Sequence, residues 1–141
     1  MKPRWVPKAV VLAFHELLLA AHGGLPGIRD EGGLDAALAS PRSHLAHAKS
    51  DLFDLAAAYA SALTRNHPFR DGNKRVALVV AGVFLEMNGA RLEASEPDAV
   101  SAILALTTRA FDERAFAAWL RANSSAPTRP RKPRARRKTS R

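Results

Sequence analysis

A chain of 141 residues has length for one core and too little for two of ordinary size, so a single domain is expected. Apolar residues at 47% and charged residues at 25% suit a self-supporting globular body, while the lack of cysteine excludes a disulfide framework, a thiolate nucleophile and a cysteine zinc site. Eight basic residues and no acidic one follow Asn123, which leaves 14 basic and 13 acidic residues in 1–123, so most of the net charge of +9 belongs to the tail and the body is nearly neutral.

Along the chain, Ala9, Val10, Leu12, Ala13, Phe14, Leu17, Leu18 and Ala21 recur at helical spacing, with Pro7 suited to the first turn and Gly23-Gly24 to the stop. His15 and His22 are expected at the surface and end of this helix. Residues 23–33 carry five glycines and a proline and are expected to form a loop. Leu34, Ala37 and Leu38 predict a short helix that Pro41 stops. Asp51 is placed to cap a third helix with Leu52, Leu55, Ala56, Tyr59, Ala62 and Leu63 inward. Val76, Val79, Val80, Val83, Phe84 and Met87 then follow a helix period closed by Asn88-Gly89. Their β-branched content favours a strand, but period and length outweigh it.

Residues 90–94 are expected to be extended, ahead of a helix opened by Ser95 and Pro97 with Val100, Ile103, Leu104 and Leu106 inward. Asp112 caps a last helix that turns Ala115, Phe116, Trp119 and Leu120 to the core. The prediction is an all-α domain over 1–123, about six helices and a glycine-rich flap loop, followed by a disordered basic tail over 124–141. No apolar stretch approaches the roughly 20 residues needed to span a bilayer, and Lys8, His15 and Glu16 interrupt the N-terminal one, so a cytoplasmic protein without membrane contact is expected.

The informative segment runs from Asn66 to Arg75, between two predicted helices. Pro68 disfavours the α region at His67, which predicts an extended histidine. Asp71, Gly72 and Asn73 come next, at the following helix's N-terminus, where unpaired N–H groups and the helix dipole favour a bound phosphate. Lys74 and Arg75 oppose that dipole unless an anion lies between them. His67 can accept a proton near neutral pH, Asp71 can hold Mg²⁺ through a hard oxygen, and Lys74 and Arg75 can neutralise transferring oxygens. Gly72 allows close backbone approach. A P-loop is not formed, because Lys74 is followed by arginine. A hairpin turn at Asp71-Gly72 is the plain competitor, and no period-2 strand flanks it. His44 and His47 stand three apart without an acidic or cysteine companion in sequence and are expected to be surface residues.

The run His67-Pro68-Phe69-Arg70-Asp71-Gly72-Asn73-Lys74-Arg75 resembles the Fic-family motif His-Pro-Phe-x-Asp/Glu-Gly/Ala-Asn-Gly/Lys-Arg, and residues 5–121 look like the Doc branch. Gly23 to Gly27, Ile28-Arg29-Asp30, Asp51-Leu52-Phe53 and Arg65 are further landmarks. The resemblance implies a Fic fold and an enzyme using ATP and Mg²⁺, with His67 as base, Asp71 as metal ligand, and Gly72, Asn73, Lys74 and Arg75 as the phosphate and nucleotide set. Arg65 and Phe69 would support the loop, and residues 23–33 would be the flap that positions the target.

AMP-transferring relatives have glycine where this chain has Lys74 and an arginine where it has Leu78. Both differences resemble Doc, in which the γ-phosphate is transferred, whereas Pro68 and Gly72 look like the AMP-transferring form. The implied function is a toxin of a type II toxin-antitoxin pair, a kinase-like phosphotransferase acting on a threonine or serine of a translation protein, by resemblance elongation factor Tu. An inhibitory Ser/Thr-x-x-x-Glu-Gly/Asn helix is not visible in the chain, so control is expected from a partner like the Phd antitoxin, laying an amphipathic helix beside the site. The alternatives are transfer of AMP to a protein hydroxyl, and a catalytically silent module binding nucleic acid through the basic tail.

Overall fold

Capping and periodicity resolve into six helices among the residues described, 1–47 and 49–125, in a computed structural model of the chain. They are α1 (Lys8–His22), α2 (Glu31–His47), α3 (Leu52–Asn66), α4 (Asn73–Met87), α5 (Glu96–Thr107) and α6 (Glu113–Ala122). Two short strands, β1 (Arg91–Leu92) and β2 (Ser124–Ser125), complete an all-α Fic fold.

Helix α3 is the hub. Every residue from Leu55 to Leu63 is buried, and α2, α4, α5 and α6 all pack against it. Its alanines and Ser61 let four neighbours approach at once, and Tyr59 and Phe84 meet at 5.2 Å between ring centres. The start is fixed by a reciprocal capping box, in which Asp51 accepts from the Asp54 N–H and Asp54 accepts from the Asp51 N–H, both at 2.9 Å. Asp112 and Ser95 cap α6 and α5 by single bonds, accepting from the N–H groups of Ala115 and Asp98. Upstream of α1 the chain is strapped to this core. Trp5 stacks on Phe84, and the Val6 N–H donates to the Tyr59 hydroxyl at 3.1 Å.

Three expectations need correction. Helix α2 begins inside the glycine-rich stretch and runs through Pro41. Asp30 caps it, accepting from the Gly33 N–H, and a Cβ on Gly33 would lie 2.7 Å from that carboxylate. An internal proline costs a helix about 3 kcal/mol, but Leu34, Ala37, Leu38, Pro41 and Leu45 form one continuous inner stripe, and that burial carries the helix past it. Second, Val100 and Leu104 are not inward; they are 42% and 43% exposed, and Ala99, Ala102, Ile103 and Leu106 form the buried face of α5. Third, Ser124 and Ser125, expected to open the tail, pair antiparallel with Leu92 and Arg91. Residues 126–141 of that tail lie outside the described residues. Among those described, no helix is long and apolar enough to cross a membrane.

Candidate active site

The motif loop joins the C-terminus of α3 to the N-terminus of α4, the two helices that pack most closely. His67 ends α3 in the left-handed region, at φ 50° and ψ 55°, with its N–H donating to the Leu63 carbonyl at 3.2 Å. The expected extended conformation is therefore replaced by a left-handed helix cap. Such a conformation costs a non-glycine residue about 1–2 kcal/mol, and Arg29 holds it in place. The Arg29 guanidinium donates to the carbonyls of His67 at 2.8 Å and Asn66 at 3.0 Å.

Backbone bonds extend the same clamp. The N–H groups of Arg29 and Asp30 donate to the Pro68 carbonyl at 2.7 and 3.0 Å, Arg70 donates to Gly27 at 3.1 Å, and Ile28 pairs with Phe69. The glycine-rich stretch is thereby stitched alongside the motif loop. Arg65, expected to support that loop, instead donates to Ser61 within α3 at 3.1 Å. Its place is taken by Arg29, which the sequence offered only as part of a family landmark.

Phe69 is fully buried, and the Asn73 side chain closes a ring on its backbone, accepting from the Phe69 N–H and donating to the Phe69 carbonyl, both at 2.9 Å. The Asn73 amide is thus spent inside the protein, and only its backbone N–H is left to meet an anion. His15, expected at the surface of α1, is only 4% exposed. Its ring stacks on Phe69 at 3.8 Å between centres and its Nε2 donates to the Asp71 carbonyl at 2.8 Å. The signal was present in the spacing, since His15 lies four residues after buried Val11 on one stripe of α1.

His67, Arg70, Asp71, Gly72, Lys74 and Arg75 share one cleft of about 510 Å³, lined also by Leu78 of α4 and by Val100, Ile103 and Leu104 of α5. Gly72, at φ 82°, is the N-cap of α4 and has no side chain to cap it. The first helical N–H groups therefore face the cleft beside two exposed cations, Lys74 and Arg75, that form no ion pair among the described residues. Such a set of donors and cations can hold a polyanion. A hollow of about 630 Å³ between α2 and α3 takes Arg65, His44 and His47 and none of the other candidate residues. There His44 lies 3.5 Å from Glu113.

Asp71 meets the needs of a magnesium ion that arrives with phosphates. Its Oδ2 accepts from the Leu25 N–H at 2.7 Å, which fixes the carboxylate, and its Oδ1 has no hydrogen bond among the described residues. No cluster of three or more metal-binding side chains occurs among those residues. One carboxylate suits Mg²⁺ that keeps waters and phosphate oxygens as its other ligands.

Residues 5–85, the stretch that builds the flap, the hub helix and the motif loop, match the profile of the Fic/DOC family. The chain belongs to the Fic/DOC family. It is similar to the "Protein kinase doc" of Escherichia phage P1, at 36% identity over 63% of this chain and 71% of that protein. It is also similar to the "Toxin Doc" of Mycolicibacterium smegmatis, at 46% identity over 52% of this chain and 58% of that protein. The Fic/DOC match covers every motif residue discussed and stops within α4.

Proposed function

We propose that this chain is a toxin that transfers the γ-phosphate of ATP to a threonine or serine hydroxyl of a translation protein, elongation factor Tu being the first candidate. Family membership and the names of the two relatives support a transferase and a toxin. The observation that carries the choice of phosphate over AMP is Lys74, which lies in the cleft at the first turn of α4 with Leu78 one turn further along. A cationic side chain at that place suits terminal phosphates, and an apolar one at position 78 removes the second arginine associated with AMP transfer.

In this reading a ring nitrogen of His67 takes the proton of the acceptor hydroxyl as its oxygen bonds to the γ-phosphorus. The bond from that phosphorus to the bridging oxygen breaks, and ADP leaves with the electron pair. Lys74, Arg75 and the N–H groups opening α4 hold the phosphate oxygens in place. Asp71 would hold Mg²⁺, which supplies neutralisation of phosphate charge when bound. His67 is exposed at the cleft mouth, where an acceptor hydroxyl can reach it. An antitoxin of the Phd type is the proposed partner in control, and the eight basic residues after Asn123 are proposed to attract nucleic acid.

Induced expression in a bacterium tests the reading. Growth and protein synthesis should stop, and a target should gain label from γ-labelled ATP in an extract. Growth arrest with label gained only from α-labelled ATP would select AMP transfer instead.

A further inference from the structure

The Asp71–Gly72 peptide is the last one before α4, and both of its polar atoms matter to the cleft. Glycine at 72 tolerates either orientation of that peptide, because it has no Cβ to select one. Something else must therefore choose. The Asp71 carbonyl points to the buried Nε2 of His15 at 2.8 Å. In a trans peptide the N–H lies opposite the C=O, so the Gly72 N–H turns away from His15, and Gly72 itself lines the cleft. That N–H has no acceptor among the described residues.

We infer that His15 is a positioning residue that fixes the Asp71–Gly72 peptide with its N–H facing the cleft, adding Gly72 to the donors that hold the transferred phosphate; this rests on the phosphotransfer reading above. A carbonyl only accepts, so Nε2 carries a proton and donates in either charge state of the ring. For the same reason Nε2 of His15 does not act as a base here, since it donates to an atom with no proton to give. The stack on Phe69 at 3.8 Å and the 3.6 Å approach of His15 to the Cβ position of Gly72 leave the ring little freedom. A leucine or phenylalanine would fill this inner position of α1 as well. Only a donor sets the peptide.

His15→Phe keeps the ring volume and the stack but loses the donor, and His15→Gln restores a donor at similar reach. The phenylalanine variant should melt within a few degrees of wild type and lose about 10²- to 10³-fold in kcat/KM for ATP, the scale of one lost transition-state donor. The glutamine variant should recover most of that loss. Calorimetric binding of Mg–ATP needs no turnover and should weaken in the same order, so the inference is decided even if the wild-type protein binds nucleotide without transferring phosphate. Failure of wild-type transfer would count against the proposed function alone. Wild-type kinetics and nucleotide affinity in His15→Phe would overturn the inference, and so would equal losses in both variants that track their melting temperatures.

Discussion

Removal of the Arg29 side chain should slow the reaction far more than it loosens the fold. Arg29 donates two hydrogen bonds, to His67 at 2.8 Å and Asn66 at 3.0 Å, and both carbonyls belong to the last residues around the end of α3. In Arg29→Ala water replaces the guanidinium at these exposed groups, so the net loss is about 0.5–1.5 kcal/mol per bond. The backbone bonds from Arg29 and Asp30 to Pro68 persist, so the flap stays attached. What is lost is the hold on a left-handed histidine whose conformation costs about 1–2 kcal/mol. If relaxation of His67 draws on the roughly 1–3 kcal/mol of the two bonds, the competent population falls about 5- to 140-fold, at about 1.4 kcal/mol per tenfold. Single-turnover transfer from γ-labelled ATP measures this, with thermal melting as the control. Arg29→Lys, able to reach one carbonyl at a time, should fall between. A wild-type rate in Arg29→Ala would refute the clamp, and so would a rate loss explained by an unfolded fraction.

Lys74→Gly should lower incorporation of γ-label and admit α-label, read side by side with the two labelled nucleotides; unchanged γ-incorporation would deny the lysine its place at the terminal phosphates. Asp51→Ala removes the α3 cap and the paired contacts with Arg121 and should cost about 1–2 kcal/mol, seen as a fall in melting temperature. Burial alone would raise the Asp51 carboxyl, but hydrogen bonds from the Asp54 N–H and Arg121 outweigh it and hold it below the ordinary 3.8. That part of the stability is complete above the ordinary value and is lost as pH falls through the lower folded value, so the gap between variant and wild type should begin to narrow only below 3.8 and close only below the folded value. Truncation after Ser125, which keeps the β1–β2 pair, should leave melting and transfer unchanged and abolish salt-sensitive RNA binding. Equal binding by both forms at low salt would exclude the tail as the contact.

Helix order, three N-caps and the motif loop were legible because their causes are local. Asp51, Ser95 and Asp112 stand before periodic apolar runs, and the period through Val76, Val80 and Phe84 outweighed the β-branched side chains in α4. The departures arise where tertiary packing overrides a local signal. Pro41 stops an isolated helix, yet its burial with Leu34 and Ala37 carries α2 to His47. Leu104 and Val100 read as core by composition, but on α5 they fall on the cleft side of the stripe set by Ala99, Ile103 and Leu106. Pro68 argued for an extended His67, while the demand of α3 for a left-handed cap and two Arg29 bonds prevailed. The motif residues singled out from the sequence line one cleft, whereas the residues that brace their loop were not foreseen. His15 and Arg29 reach the loop from segments 37 or more residues away, a distance over which sequence spacing carries no geometry.

Intact-mass analysis of elongation factor Tu decides whether His67 drives transfer of the γ-phosphate to a protein hydroxyl. Incubation with the wild-type protein, ATP and Mg²⁺ should add one phosphoryl mass to a threonine or serine, and His67→Ala, folded to the same melting temperature, should reduce the rate by about 10²- to 10⁴-fold. Addition of the larger AMP mass, or equal phosphorylation by His67→Ala, would contradict the account.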